Sequence, residues 1–271
     1  MSAPETVDPK PSETESVLSV RNLRAGYGKR EILKNVSVEV APGEIRAILG
    51  GSGSGKSTFL RNVLGLEVPW SGEVKVLGEN LGIGSSGSDL ALSHLGVLFQ
   101  GGALITSLTI GQNVMLPLVL DGVAPHGAAE ELARARLSQV RMGHAWAMFP
   151  DELSGGMRKR AALARALIRE PRILFCDEPS AGLDPLTSRE LDELLLELHD
   201  SLGLAIVLVS HELDSIKALA QKILYLHQGE VLFDGSLQDA LEEGPEKVRD
   251  FFARRTDPAD SRIPSTWEIL P

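Results

Sequence analysis

The sequence predicts an α/β fold, in which a mostly parallel sheet is combined with an antiparallel β subdomain and a helical subdomain. Short apolar runs typical of buried strands, at Ile45–Leu49, Ile173–Cys176 and Ala205–Val209, are separated by segments with the apolar spacing of helices. The first of these runs passes through a glycine-rich loop directly into a helical segment. Strand, loop and helix in this order are typical of the repeating units of α/β proteins.

The elements are taken in chain order. Apolar and polar residues alternate in short stretches of 17–40, and Pro42-Gly43 supplies a turn, so antiparallel strands are expected ahead of the first buried strand. Helical spacing follows at 57–64. Residues 104 to about 153 are predicted to be mostly helical, with interruptions at the three prolines of that segment, Pro117, Pro125 and Pro150. Beyond them, the helical stretch Thr187–Leu198 separates the last two buried strands.

These patterns divide the chain into three parts. Residues 1–16 are acidic and rich in proline, which predicts a disordered tail. Residues 17–246 form the main domain, with the helical subdomain at about 101–165. Residues 247–271 are a C-terminal extension. Its apolar residues predict either an exposed tail or a segment that docks on something such as a second copy of the chain: Phe251, Phe252, Trp267 and Ile269.

Composition excludes several classes of protein. The 271 residues carry a formal net charge of -10, which disfavours the broad basic surface used in non-specific nucleic-acid binding. The longest apolar runs fall short of the roughly 18 to 20 residues that a membrane-spanning helix requires. The start of the chain lacks the features of a secretory signal, so a cytosolic protein is expected. The single cysteine, Cys176, excludes an internal disulfide and is expected to be a small buried hydrophobe.

The glycine-rich loop carries the strongest chemical signal. It matches the pattern G-x-x-x-x-G-K-[ST] between a predicted strand and a predicted helix, as phosphate binding by this loop requires. Its backbone N–H groups can surround the phosphates of a nucleoside triphosphate, Lys56 balances the β- and γ-phosphate charge, and the Ser57 hydroxyl can bind Mg²⁺. The residues expected to bind ATP are Gly50, Gly51, Ser52, Gly53, Ser54, Gly55, Lys56, Ser57 and Thr58.

Two adjacent acids end the second buried strand. Asp177 and Glu178 follow Ile173–Cys176, at the edge where an open α/β sheet places its ligand crevice. Asp177 is expected to hold Mg²⁺, directly or through water, and Glu178 to orient or deprotonate the attacking water during phosphoryl transfer.

The order of several short motifs resembles that of the ATP-binding cassette (ABC) superfamily. Leu153-Ser-Gly-Gly-Met157 closely precedes the acid pair and stands in order with the phosphate loop, Gln100, the segment 180–184 and His211. The resemblance covers residues 17 to about 241 and implies an ABC-type nucleotide-binding domain of the P-loop NTPase fold. An ordinary P-loop kinase would lack this signature and the histidine.

The resemblance assigns roles to three further residues. Tyr27 matches the aromatic that stacks on adenine, Gln100 matches the glutamine that binds near Mg²⁺ and links the nucleotide state to a membrane partner, and His211 matches the histidine near the γ-phosphate. Each has an alternative interpretation: a packing aromatic for Tyr27, a polar group at a strand end for Gln100, and a helix cap for His211.

The signature motif implies a dimer. Ser154, Gly155 and Gly156 begin a basic helix whose free N–H groups suit phosphate, and in the family this loop faces the ATP of the other subunit. Two chains then enclose two nucleotides, and Asp184 communicates between the two sites. The basic run 158–160 is interpreted as a solvated helix face, with no ligand contact assigned to it.

A narrower resemblance concerns the cargo. The signature ending in Met157, together with 99–118, resembles the ATPases of Mla/Mce-type phospholipid transporters of Gram-negative bacteria. The match has departures. Met157 stands where the superfamily usually has glutamine, Ile105 where this branch has an aromatic, and Gln112 where it has a glutamate.

Taken together, the resemblance implies an ATPase subunit of an ABC transporter, peripheral on the cytoplasmic face of the inner membrane, with ATP and Mg²⁺ as ligands. The implied partners are a second copy of the chain, an integral membrane permease, a periplasmic Mce-type lipid-binding subunit and a small cytoplasmic regulatory subunit, with no nucleic acid. The alternatives are another cargo, namely an amino acid, lipoprotein or lipopolysaccharide, or an ATP-driven clamp outside transport.

Overall fold

The structure is a computed structural model that describes residues 16–81, 88–122 and 125–254. Its strands in chain order are β1 Leu18–Tyr27, β2 Arg30–Val40, β3 Ile45–Leu49, β4 Ser71–Val76, β5 Glu79–Asn80, β6 Leu95–Leu98, β7 Ile173–Asp177, β8 Ala205–Val209, β9 Lys222–His227 and β10 Glu230–Ser236. Its α-helices are α1 Lys56–Val63, α2 Ser88–Ser93, α3 Ile110–Leu120, α4 His126–Gln139, α5 Gly155–Leu167, α6 Pro185–Leu202, α7 Leu213–Leu219, α8 Leu237–Glu242 and α9 Glu246–Phe252.

Among the described residues, the strands form two sheets. The antiparallel sheet has the order β2-β1-β4-β5 and contains the alternating segment at the start of the chain. The large sheet has the order β10-β9-β3-β8-β7-β6, and its strands from β9 to β6 are parallel. The predicted α/β fold with an antiparallel β subdomain is therefore confirmed. Because β6, β7, β8 and β3 are parallel neighbours, their carboxyl ends meet at one edge.

The central strands of the large sheet are buried on both faces, which explains their unbroken apolar runs. Every residue of β3 and of β8 is buried. One core packs the helical part of the chain against one face of the large sheet, and a second core fills the space between the other face and the antiparallel sheet. The phosphate loop lies between β3 and α1 and is thus held by a strand that is immobilised on both sides.

The prolines of the helical segment act differently from one another. Pro125 precedes α4 as its N-cap residue, and Pro150 begins a short 3-10 helix. Pro117 does not interrupt its helix, because α3 continues through it to Leu120. A proline three residues before a helix end removes one intrahelical hydrogen bond, and the rest of the turn persists. The interruption expected at Pro117 was wrong.

The described part of the C-terminal segment packs on its own chain. Phe252 on α9 is buried, and the Phe251 ring lies edge-on to Tyr225 with 5.6 Å between the ring centroids. These two aromatics thereby contribute to the same core as the large sheet. The acidic segment 1–15, Trp267 and Ile269 lie outside the described residues. Within the ranges that are described, no helix is both long enough and apolar enough to span a bilayer.

A buried ionic network fastens β3 to β9 and β10. The Arg46 guanidinium donates to Glu44 Oε1 and to Asp234 Oδ1, at 2.6 Å each, and Lys222 Nζ donates to Glu44 Oε2 at 2.9 Å. Glu44 and Arg46 are nearly inaccessible to solvent. Burial of the Glu44 carboxyl acts to raise its pKa, but the hydrogen bonds from Lys222 and Arg46 together outweigh burial and hold the pKa below its usual value.

We expect Glu44→Gln to lower the free energy of unfolding by about 2 to 3 kcal/mol, because it removes the buried carboxylate that pairs with both Arg46 and Lys222 and leaves Asp234 as the remaining anion beside the Arg46 guanidinium. A carboxyl whose pKa is lowered by folding stabilises the folded state above its unfolded pKa, and this contribution disappears as pH falls through the folded pKa. Urea unfolding measured between pH 7 and pH 3 should therefore show that the free energy of unfolding falls less steeply with decreasing pH in the variant than in the wild type. Glu39→Gln, in an exposed ion pair with Arg21, should cost less than about 1 kcal/mol. Equal losses of unfolding free energy in Glu44→Gln and Glu39→Gln would contradict the stabilising role assigned to the buried network.

Candidate functional site

The phosphate loop is shaped by glycines at positions where no other residue fits. Gly50 has φ of 147°, and a Cβ there would lie 2.2 Å from the Leu226 carbonyl oxygen. Gly55 has φ of 109° and caps α1 from the left-handed region, where a Cβ would lie 2.6 Å from Leu33. These positions let the loop turn sharply between β3 and α1 while its backbone stays open to a ligand.

The loop fits an anionic ligand by two further observations. Ser54 Oγ is buried and has no hydrogen-bond partner among the described residues. Helix α1 begins without a side-chain cap, and the Phe59 N–H donates to the carbonyl of Gly55, the N-cap residue, at 2.8 Å. N–H groups at a helix start and a buried hydroxyl are the donors that phosphate oxygens accept.

Lys56 closes the loop in this structure. Its Nζ donates to the carbonyl oxygens of Gly50, at 2.7 Å, and of Gly51, at 3.1 Å. Burial lowers the pKa of Lys56, and the charge of Glu178 acts in the opposite direction. The ammonium group therefore lies against the phosphate loop and interacts electrostatically with Glu178, the residue that follows β7.

The acids and the histidine meet at the carboxyl ends of β7 and β8. Asp177 is the last residue of β7 and pairs in register with Val209, two residues before His211. Glu178 Oε1 lies 2.7 Å from His211 Nδ1, and the His211 backbone N–H approaches Glu178 Oε2 at 3.4 Å. Since an ionised carboxylate only accepts, His211 donates from Nδ1. The Glu178 side chain is 14% exposed and that of His211 is 62% exposed.

Burial also acts on the rest of this strand end. It raises the pKa of Asp177, the neighbouring Glu178 charge raises it further, and Lys159 lowers it. Cys176 is fully buried, as predicted, and burial raises the pKa of its thiol to about 12. A cation close to Asp177 would favour its ionised form.

Tyr27 and Gln100 lie at the margins of this region. The Tyr27 ring is 48% exposed, and its hydroxyl donates to Glu67 Oε1 at 3.3 Å and lies 3.5 Å from Thr58 Oγ1. Tyr27 thus contacts the residue that follows Ser57 in the phosphate loop. Gln100 is exposed two residues beyond β6, the strand beside β7.

The signature segment begins α5 and packs on the start of α6. Ser154 caps α5 and accepts a hydrogen bond from the Met157 N–H at 3.3 Å. A Cβ on Gly156 would lie 2.4 Å from Thr187 Cγ2, so glycine is required for the two helices to approach. Asp184 caps α6 by accepting from the Leu186 and Thr187 N–H groups and from the Thr187 hydroxyl, which holds the Asp184 pKa below its usual value.

The structure divides the basic run 158–160, which the sequence analysis interpreted as a solvated face. Arg158 is exposed, and Arg160 is half-buried and paired with Glu190 at 2.7 Å. Lys159 is only 5% exposed, and its Nζ donates to the Gln100 carbonyl at 2.5 Å and to the Glu178 carbonyl at 3.0 Å. For Lys159 the interpretation was wrong. A signal was present in the sequence, because Lys159 shares the apolar face of its helix with Gly156 and Leu163.

Comparison with known proteins finds one family model over much of this region. A model described as ABC transporter matches residues 33–181. A methionine import ATP-binding protein of Latilactobacillus sakei is 40% identical over 223 residues, which are 81% of this chain and 64% of that protein. Another from Campylobacter jejuni is 34% identical over 252 residues, covering 87% of this chain and 75% of that one. The chain thus spans less than two-thirds of the length of the first relative.

Solved structures share the fold. The dimeric ATP-binding cassette MJ0796 bound to ADP and Pi in a post-hydrolysis state has a TM-score of 0.72 and 31% identity, covering 81% of this chain and 98% of that one. CbiO1 of Clostridium perfringens, part of an ABC transporter complex, has a TM-score of 0.77 and 28% identity, covering 84% and 91%. Both curated relatives are named for methionine import and neither for lipid transport.

Proposed function

Because the chain belongs to the ABC transporter family, we propose that it hydrolyses ATP to ADP and phosphate and couples hydrolysis to transport across a membrane. The observation that carries the proposal is the contact between Glu178 and His211 at the strand ends beside the phosphate loop, with 2.7 Å between Oε1 and Nδ1. A carboxylate oriented by a histidine, close to donors for phosphate, has the arrangement that water activation and phosphoryl transfer require.

Each residue of the site has a role in this proposal. Glu178 accepts the proton of the attacking water or orients that water, and His211 holds the carboxylate and stabilises the γ-phosphate. Lys56 exchanges its two carbonyl contacts for phosphate oxygens, which a charge-assisted hydrogen bond favours. The backbone N–H groups of 50–58 surround the phosphates. The protein forms no covalent bond to the nucleotide in this scheme, since catalysis of phosphoryl transfer comes mostly from positioning the reactants and from stabilising the charge on the phosphate oxygens.

The donor set also fits magnesium. The Ser57 hydroxyl, the Gln100 side chain and the Asp177 carboxylate would hold Mg²⁺, which prefers oxygen ligands. Burial raises the pKa of Asp177, and a bound cation would act in the opposite direction and lower it. When bound, the ion neutralises charge on the phosphate oxygens.

The signature residues are proposed to act on a second chain. Ser154, Gly155 and Gly156 lie at the start of α5, whose remaining N–H groups and positive dipole end suit the phosphate of a partner's ATP. The dimeric cassette among the similar structures supports this arrangement. Asp184 caps α6 and bonds to Thr187, which packs against Gly156 of the signature helix, and this link supports the proposed role of Asp184 in communication between the two sites.

We expect Tyr27→Ala to weaken ATP binding about tenfold, because stacking of a base on an aromatic side chain contributes about 1 to 3 kcal/mol. Tyr27→Phe should stay within about threefold of wild type, since the ring remains when the hydroxyl contacts to Glu67 and Thr58 are lost. Titration with a fluorescent ATP analogue measures both values. Phe149→Ala, which removes an exposed aromatic on the helical part, is the matched control. A binding loss equal to that control would mean that Tyr27 is a packing aromatic.

For the cargo, we propose an amino acid imported through an integral membrane permease that binds the cytoplasmic ATPase dimer. The support comes from the relatives, which are named for methionine import. This was an alternative in the sequence analysis, and it now has more support than the phospholipid cargo expected first. The Mce-type periplasmic subunit expected with that cargo likewise has no support from these names.

Phospholipid remains a second candidate because of two observations. The signature ends in Met157, and the segment 99–118, which includes most of α3, resembles the phospholipid branch. Met157 is half-buried against the core, so its departure from glutamine leaves the backbone of the signature in place. Ile105 and Gln112, the two departures from that branch within 99–118, lie in the segment proposed to contact the permease.

One experiment separates the cargoes. Tagged Glu178→Gln protein is purified with ATP from detergent-solubilised native membranes, and its partners and lipids are identified by mass spectrometry, alongside uptake of radiolabelled methionine in cells with and without the gene. An amino acid permease and gene-dependent uptake would support methionine import. An Mce-type subunit with phospholipid and unchanged uptake would replace that cargo. Nucleic acid with no membrane protein would overturn the transport proposal.

A further inference from the structure

We propose that Lys159 is a positioning residue for ATP hydrolysis, which ties the backbone of the catalytic Glu178 and the Gln100 turn to the signature helix of the same chain. The proposal rests on the proposed function, because it assumes that Glu178 activates water. Lys159 touches neither nucleotide nor water in this scheme and acts through the two segments it holds.

Lys159 makes both of these hydrogen bonds through its ammonium group. Its Nζ bridges the carbonyl oxygens of Gln100 and Glu178, two residues that follow the neighbouring strands β6 and β7. Burial of the ammonium group lowers the pKa of Lys159, while the nearby Cys176, Asp177 and Glu178 act to raise it. A methionine would fill the same space without this desolvation cost, so packing alone does not require a cation here.

The Glu178 end of the bridge holds an unusual backbone. Glu178 has φ of 46°, in the left-handed region that residues other than glycine rarely adopt. Its N–H donates to the Val209 carbonyl at 2.8 Å, and its own carbonyl accepts from Lys159. Both peptide groups flanking Glu178 are thereby fixed, which sets the direction in which the carboxylate leaves the chain towards His211. Strained backbone of this kind persists only where its surroundings hold it.

The Gln100 end is held by the same helix at a second point. Arg165, six residues beyond Lys159 on α5, donates to the carbonyl oxygens of Gly102 at 2.8 Å and Ala103 at 2.7 Å. The turn itself closes through the Gly102 N–H and the Phe99 carbonyl at 2.8 Å. A movement of α5 would therefore carry the Gln100 turn with it, and Lys159 would pass that movement to Glu178.

The test measures ATP hydrolysis by the full chain carrying Lys159→Met, Lys159→Gln or the control Arg158→Met, which neutralises the exposed neighbour. We expect Lys159→Met to lower kcat about 10- to 100-fold with KM within about threefold, because small misplacement of a catalytic group has effects of this size. Lys159→Gln, whose amide still donates, should recover part of the rate. Arg158→Met should stay near wild type.

A double-variant comparison separates positioning from general stability. If Lys159 acts through Glu178, adding Lys159→Met to Glu178→Gln should lower the residual rate much less than it lowers the wild-type rate. The inference would be overturned if Lys159→Met lowered the rate by the same factor in Glu178→Gln as in the wild type. It would also be overturned if folded Lys159→Met had a kcat within twofold of wild type. If Lys159→Met fails to fold, the same double-variant comparison is made with Lys159→Gln, and a loss by the same factor in Glu178→Gln as in the wild type would overturn the inference. An inactive wild-type chain would instead overturn the proposed function.

Discussion

Glu178→Gln should bind ATP with nearly wild-type affinity and hydrolyse it about a thousandfold more slowly, since a positioned general base contributes about 10²- to 10⁴-fold to the rate. The amide keeps the size of the carboxylate and its contact with His211, so the strand ends should retain their arrangement. ATP should then hold two chains together, because the bound nucleotide persists. Phosphate release and size-exclusion chromatography with and without ATP measure the two effects.

The matched control is Glu243→Gln, an exposed residue at the end of α8, which should leave the rate unchanged. Hydrolysis by Glu178→Gln at more than a tenth of the wild-type rate would contradict the role assigned to this carboxylate. Loss of ATP binding in the same variant would instead indicate that Glu178 acts in holding the loop through Lys56, with which it interacts electrostatically.

Lys56→Met should weaken ATP binding about a hundredfold, since a charge-assisted hydrogen bond contributes about 1.5 to 3 kcal/mol and Lys56 is expected to reach two phosphates. The same change removes the two hydrogen bonds that close the loop over Gly50 and Gly51. We therefore expect a small decrease in Tm even without nucleotide. Isothermal titration with ATP and Mg²⁺, and thermal unfolding without them, measure the two losses separately.

Lys217→Met, on the exposed face of α7, is the control for removing one positive charge from an acidic chain. It should leave ATP binding within twofold of wild type. Equal weakening by both variants would mean that net charge, rather than the position of Lys56, attracts the nucleotide.

Much of the fold followed from local patterns. The alternation in 17–40 predicted antiparallel strands that the structure contains, and the buried strands β3, β7 and β8 begin and end within one residue of their apolar runs. Pro117 was misjudged because a proline near a helix end costs one hydrogen bond, which the remaining contacts of α3 offset. The order β10-β9-β3-β8-β7-β6 was not predicted, since pairing between strands depends on residues far apart in the chain.

The site shows the same division. The sequence by itself determined the phosphate loop, because its glycines, Lys56 and the start of α1 act through backbone contacts within a few residues of one another. Only the tertiary structure decided that Glu178 contacts His211, 33 positions away, and that Lys159 is buried beneath Gln100 and Glu178 while Arg158 stays in solvent. Both depend on which strands are neighbours and which helix face meets them, and those contacts form only when the whole sheet assembles.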